Sequence, residues 1–278
     1  MSIFDAPKID CHNHLFDPVR HPYRADTLYR PAGQEVGTLQ QFKWVLDAYG
    51  VRHALLVGPT SGYRTNNSYL LEALNEGEGR FKGIAVVEDD MSLDALAALQ
   101  AQGVVGVAFN PAAEGLGVMA GVEPLFGWLA ELGMFAQVQV QQDELPALDG
   151  LISRTRARLL IDHCGRPSAA AGLDQPGFRY LLGLAESGRA CVKLSGMQKF
   201  CDVDNLFEQS QAYVHALLQA FGPEACVWGS DWPFLREKTR IDYGPLLKLA
   251  EQLMPDTSVR HAVMWETPAR LFGFAAAS

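Results

Sequence analysis

Cysteine is scarce and unpatterned. Cys11, Cys164, Cys191, Cys201 and Cys226 make an odd count with no CxxC spacing. In a chain of this size that argues against a disulfide framework, and a reducing cytoplasm is the expected setting. Cations are also short, with 23 Lys and Arg against 32 Asp and Glu, a formal net charge of −9. That balance argues against a nucleic-acid footprint and against a basic membrane patch. No apolar run reaches the roughly 18 residues a membrane-spanning helix needs. The opening Met1-Ser2-Ile3-Phe4-Asp5 has no basic region and no long apolar stretch, so no signal peptide is expected. The GxGxxG turn of a nucleotide-binding open sheet is missing after the first strand-like run. No low-complexity linker divides the 278 residues, of which 48% are hydrophobic, so one domain over residues 1–278 is expected.

What the chain does have is a recurring unit. Short apolar runs fall at Lys8–His12, His53–Val57, Gly83–Val87, Val104–Phe109, Phe135–Val140, Leu159–Asp162, Ala190–Leu194 and Cys226–Trp228. Most are rich in Val, Ile or Leu without strict alternation, as expected for strands covered on both sides. Between them lie amphipathic stretches with helix punctuation. Thr38–Tyr49 carries one apolar stripe and is followed by Gly50; Ser92–Gln102 has a serine N-cap and Gly103 as its stop; Asp204–Phe221 closes on Gly222-Pro223. Eight rounds of strand and helix predict parallel strands with right-handed crossovers, a (β/α)8 TIM barrel of the α/β class. Two long loops, Leu15–Gly37 and Pro233–Gly244, are expected to build the site.

Barrel chemistry sits at the C-terminal strand ends. The first run ends in His12 and His14, whose i, i+2 spacing puts both imidazoles on one face. Reading on, the later ends offer Thr60 and Ser61, Glu88, Asn110, Gln139 and Gln141, His163, Ser195, and finally Asp231. Three His and one Asp at one mouth suit hydrolysis. The Asp takes a proton from water, and the imidazoles polarise a carbonyl. Cys164 directly follows His163; adjacent strand residues face opposite ways, so it reads as a small buried hydrophobe rather than a nucleophile.

Three segments, Ile9-Asp10-Cys11-His12-Asn13-His14, Ile161-Asp162-His163-Cys164-Gly165-Arg166-Pro167 and Trp228-Gly229-Ser230-Asp231-Trp232-Pro233, resemble the amidohydrolase superfamily. More closely they resemble its lactonase branch, which holds 2-pyrone-4,6-dicarboxylate hydrolases and sugar lactonases. Val192-Lys193-Leu194-Ser195-Gly196 fits the same branch, and the likeness runs from about residue 8 to residue 274. The resemblance implies a hydrolase that opens a cyclic ester, with Asp231 as general base and His12, His14 and His163 on the lactone carbonyl. By the same resemblance Tyr29, Thr60, Ser61, Gln139 and Lys199 are expected to bind substrate. Arg166 is read as structural, pairing with a loop or helix end.

The departures from the family pattern narrow this further. Metal-dependent members carry a carboxylated Lys on strand four and a His on strand five; here stand Ala108-Phe109-Asn110 and Gln139. An amide is a poor zinc ligand, so a binuclear site is not expected and no cofactor is required. A single zinc on His12, His14 and Asp231, with Glu88, is the alternative. Ala108 and Glu114 stand where the pyrone-dicarboxylate enzymes place two Arg. A lactone with one carboxylate or none therefore fits better, with Lys199, Arg64 and Arg236 left to hold an anion. The competing readings are a metal-dependent decarboxylase of an aromatic or unsaturated acid and a non-catalytic binder on a degraded barrel. Sequence names neither the ring nor the oligomeric state.

Overall fold

The computed structural model describes residues 2–275; Met1 and residues 276–278, at the two ends of the expected domain, lie outside the described residues. Eight strands form: β1 (Lys8–Asn13), β2 (Val51–Val57), β3 (Phe81–Ala85), β4 (Val104–Phe109), β5 (Phe135–Val138), β6 (Arg158–Ile161), β7 (Ala190–Leu194) and β8 (Cys226–Trp228). Each pairs in parallel with the next, in the order β1 to β8. The ring is completed just beyond β8 by the chain itself. Asp231 N donates to His12 O at 2.7 Å, and His14 N donates to Trp232 O at 2.8 Å. This is the (β/α)8 barrel that the alternation predicts.

The expected helices form, with the Ser92 cap and the Gly222 stop read from the sequence. Leu39–Ala48 starts on a Thr38–Gln41 capping box, and Leu93–Ala101 on Ser92, whose side chain accepts from Ala95 N. Leu206–Phe221 stops at Gly222, whose φ of 69° an L side chain resists. Among the described residues no helix is long and apolar enough to cross a membrane.

The barrel interior is layered, as inward side chains of a parallel barrel must be. An apolar layer of Ile9, Cys11, Leu55, Ile84, Phe135, Leu160, Cys191 and Val227 packs on Phe272 and Phe274 from the C-terminal segment. Two residues further along each of three strands, Gln137, Asp162 and Lys193 form a buried polar layer. A register shift in β1, between Asp10 and Asn13 against β2, adds one residue there. This bulge turns His12 toward the axis although Cys11 already packs inward. Asp10, facing the seam instead, accepts from Ser230 N (3.0 Å), the Ser230 hydroxyl (2.6 Å) and the Tyr243 hydroxyl (2.9 Å). It thereby ties β1 to the segment after β8 and fixes the height at which His12 emerges.

Candidate active site

A cavity of about 760 Å³ opens at the C-terminal mouth of the barrel. His12, His14, His163 and Asp231 all line it. Nε2 of His12 lies 3.6 Å from Asp231 Oδ1, and Nε2 of His14 and of His163 each lie 3.9 Å from the same oxygen. The four residues read as catalytic thus surround one point. Those distances leave room for a small reacting group rather than closing as direct hydrogen bonds.

The backbone that presents them is not regular strand. His163, Cys164, Arg166 and Asp231 have φ of 51°, 56°, 45° and 62°. The left-handed region is costly for non-glycine residues, by about 1 kcal/mol each, and such residues cluster where a site over-determines them. The turn at His163 also settles Cys164. Its thiol faces the Lys193 carbonyl at 3.8 Å, and burial pushes its pKa up to about 12. It is a buried hydrophobe, as expected, though because of the turn and not because of strand alternation.

Beneath the histidines lies the polar layer that strand-end reading does not reveal. Lys193 Nζ donates to Gln137 Oε1 at 2.6 Å and stands 3.0 Å from His12 Nδ1 and 3.1 Å from Asp162 Oδ1. Gln137 Nε2 donates to Asp162 Oδ2 at 2.9 Å, and Asp162 Oδ1 is 3.2 Å from His12 Nδ1. His14 Nδ1 meets the Val57 carbonyl oxygen at 2.9 Å, and His163 Nδ1 meets Ser195 Oγ at 3.0 Å. Ser195 is therefore behind His163, not in the cavity. Gln137 could have been found by counting inward positions from Phe135 by twos.

Electrostatics favour one charge state. Burial lowers the proton affinity of His12, His14 and His163, and Asp231 only partly offsets it. All three are neutral near pH 7. Burial alone would raise the Asp231 pKa, but the Lys199 ammonium outweighs it and holds the carboxyl well below the usual range. Lys199 is itself held charged: burial lowers its pKa, and Asp231 and Glu237 more than reverse that.

The residues expected to bind substrate differ in where their side chains lie. Thr60, Ser61 and Gln139 line the cavity, with Thr60 Oγ1 accepting from Asn110 Nδ2 at 3.2 Å. Lys199 also lines it, but its Nζ is spent, 2.8 Å from Asp231 Oδ2 and 2.8 Å from Glu237 Oε1. Tyr29 is not in the cavity wall; its hydroxyl donates to Glu35, and its ring stacks under Arg236. Arg64 turns toward Asp26 and Glu114. Arg236 is an exposed residue on the rim. Glu88 is exposed and accepts from Thr65 Oγ1 at 2.7 Å, so it is no partner for a metal on the histidines. Arg166 reverses its expected part. It lines the cavity, its Nε is buried with no hydrogen-bond partner, and among the described residues no carboxylate pairs with it. Gln198, buried beside the same cavity, has an unpartnered side-chain amide.

Two triplets have ligand atoms all within 4.8 Å of one another: His12, Asp162 and His163, and His12, His14 and Asp231.

An amidohydrolase family model matches residues 9–274. The chain is 31% identical to the 4-sulfomuconolactone hydrolase of Rhizobium radiobacter, over 95% of this chain and 89% of that one. It superposes with a TM-score of 0.82 on a probable 2-pyrone-4,6-dicarboxylic acid hydrolase of Acinetobacter baumannii solved with citric acid. That match has 26% identity and covers 96% and 99% of the two chains. An amidohydrolase of Burkholderia multivorans solved with zinc superposes at 0.75 and 20% identity, covering 97% and 100%, which shows the shared fold alone.

Proposed function

The chain belongs to the amidohydrolase family, and from that premise we propose that it hydrolyses a lactone without a metal ion. The observation that carries the reading is the convergence of three histidines on one carboxylate oxygen, Asp231 Oδ1. Water attacks the lactone carbonyl carbon and gives its proton to Asp231. The carbonyl π electrons move to oxygen, which accepts hydrogen bonds from His12 and His163. Collapse of that intermediate breaks the ring C–O bond. The departing ring oxygen takes the proton back from Asp231, and the product is a hydroxy acid. Lys199 keeps Asp231 ionised but also makes it a weak base. Proton transfer must therefore be coupled to carbonyl polarisation, not precede it.

A zinc ion on His12, His14 and Asp231 fits these residues poorly. The Lys193 ammonium stands 3.0 Å from His12 Nδ1, and the Lys199 ammonium 2.8 Å from Asp231 Oδ2. A divalent cation would face both and would have to displace Lys199 from the carboxylate. The decarboxylase alternative, which depends on such an ion, is correspondingly disfavoured.

The substrate is a small lactone bearing one anionic substituent. Apart from His12 and Asp231, Arg166 and Gln198 are the cavity residues whose buried side-chain polar atoms have no partner among the described residues, and an oxyanion satisfies both a guanidinium and an amide N–H. The reading takes the chain as one barrel domain working in the cytoplasm.

The test is a panel of pyrones, sugar lactones and muconolactones, assayed after dialysis against a strong chelator with metal analysis of the same sample. We expect hydrolysis of at least one lactone by metal-depleted enzyme. Folded Asp231→Asn should be slower by about a hundredfold or more, the scale of a lost general base. Failure on every lactone would refute the activity. Activity that vanishes with metal and returns with zinc would refute the metal-free site and revive the decarboxylase.

A further inference from the structure

We propose that the two histidines of the first strand have opposite tautomers and opposite tasks. His12 is an N–H donor to the lactone carbonyl, and His14 is an acceptor that holds the attacking water beside Asp231. The assignment rests on the lactone-hydrolase reading for its chemistry, but the tautomers follow from hydrogen bonds alone.

His14 Nδ1 is 2.9 Å from the Val57 carbonyl oxygen. A carbonyl can only accept, so Nδ1 carries the hydrogen. The cavity-facing Nε2 of neutral His14 is then a lone pair. It cannot donate to a substrate carbonyl, contrary to the family-based expectation. It can accept an O–H, and it lies 3.9 Å from Asp231 Oδ1. One water can give one hydrogen to each of these two acceptors, leaving its lone pair to attack.

His12 is set the other way by Lys193. An ammonium has three N–H bonds, and Lys193 has three acceptors within reach: Gln137 Oε1, Asp162 Oδ1 and His12 Nδ1. If His12 Nδ1 carried a hydrogen toward Asp162, that N–H would lie against the ammonium, donor facing donor. With Lys193 donating, every polar atom of the buried layer is satisfied, and the hydrogen of His12 sits on Nε2. That nitrogen is buried and has no partner among the described residues. A buried donor left open is costly unless a ligand fills it. A lactone oxygen is such a ligand. Each ring thus offers one donor and one acceptor, and each nitrogen holds a single task. Lys193 is thus a positioning residue, acting through His12 and touching no substrate.

The tautomers are read by long-range ¹H–¹⁵N correlation spectra of the wild-type protein labelled at histidine nitrogens, with assignments from His12→Asn and His14→Asn. We expect His12 as the Nε2–H form and His14 as the Nδ1–H form. In Lys193→Met, His12 should move toward Nδ1–H, now donating to Asp162, while His14 does not change. His14 as Nε2–H, or as imidazolium, at neutral pH overturns the proposal, and so does a His12 tautomer indifferent to Lys193. These spectra need no substrate, so they stand even if no lactone is hydrolysed. The tasks are separated by nucleophile. His14→Asn should lose hydrolysis by about a hundredfold or more yet keep enzyme-dependent aminolysis by hydroxylamine within about fivefold of wild type. His12→Asn should lose both. Equal loss of both reactions in His14→Asn overturns the water-holding task.

Discussion

Arg166 shows how a single residue can change the substrate question. The cavity has other cations, but Lys199 is bound to two carboxylates and Arg236 rides on the Tyr29 ring at the rim. Burial lowers the Arg166 pKa, with Asp231, Glu237 and Glu144 opposing, yet a guanidinium stays protonated at neutral pH and wants a bidentate oxyanion. Gln198, which lines the same cavity, offers an amide N–H. Arg166→Gln is therefore expected to raise KM for carboxylate- or sulfonate-bearing lactones by about 10- to 100-fold, the scale of a lost charge-assisted hydrogen bond. Uncharged lactones of the same ring should be affected only a few-fold. Steady-state kinetics on a matched charged and neutral pair decides it. An equal loss on both would mean that Arg166 is structural after all.

Strand and helix positions were largely legible because they are local. β4, β7 and β8 end where their apolar runs end, and the Ser92 N-cap and the Gly222 stop hold. What the runs could not show is geometry that depends on a neighbouring element. The β1 bulge is set by pairing with β2, and the left-handed turns at His163 and Asp231 by the loops that hold them. The same holds for side chains. Lys199 was expected to bind substrate, and it is captured by Asp231 and Glu237, 38 residues or fewer away but only through the fold. Gln139 drew attention as the last polar residue of its run, while Gln137, one inward step earlier, carries the hydrogen bonds. The seam of β8 with β1 gives a test at this scale. A Cβ on Gly229 would lie 2.7 Å from both N and Cβ of His12, a contact with backbone that cannot swing away. Gly229→Ala should cost about 1–3 kcal/mol of stability by overpacking. It should also cut kcat/KM by more than about tenfold, because a small displacement of a catalytic group is expensive. Urea midpoints and kinetics read the two effects, and a variant unchanged in both would show that the seam tolerates the extra carbon.

Across the whole molecule the barrel divides its work between two ends, as such folds do. The C-terminal mouth holds strained turns and open polar groups. The N-terminal end is where β1 starts, and there Lys8 is buried, its Nζ donating to the Tyr49 carbonyl at 2.6 Å and the Phe4 carbonyl at 3.3 Å. Burial lowers its pKa to about 8, with Asp5 opposing, against about 10.4 for a free lysine. The sign of the consequence follows from proton counting. Below pH 8 both folded and unfolded chains carry the proton, and folding bears the full cost of burying the ammonium. Between about pH 8 and pH 10.4 the unfolded chain keeps a proton that the folded chain has released, so this group makes stability rise with pH. Other groups titrate in that window too, but they are shared by Lys8→Met, in which this one contribution is missing. The difference in urea unfolding free energy, wild type minus Lys8→Met, should therefore increase from pH 8 to pH 10.4 and be flat from pH 6 to about pH 7. Activity at pH 7 should be unaltered in the variant, since Lys8 lies at the end of the barrel away from the cavity. A difference that stays flat across the upper window would mean that the folded Lys8 keeps its proton, held by the two carbonyls more strongly than burial disfavours it.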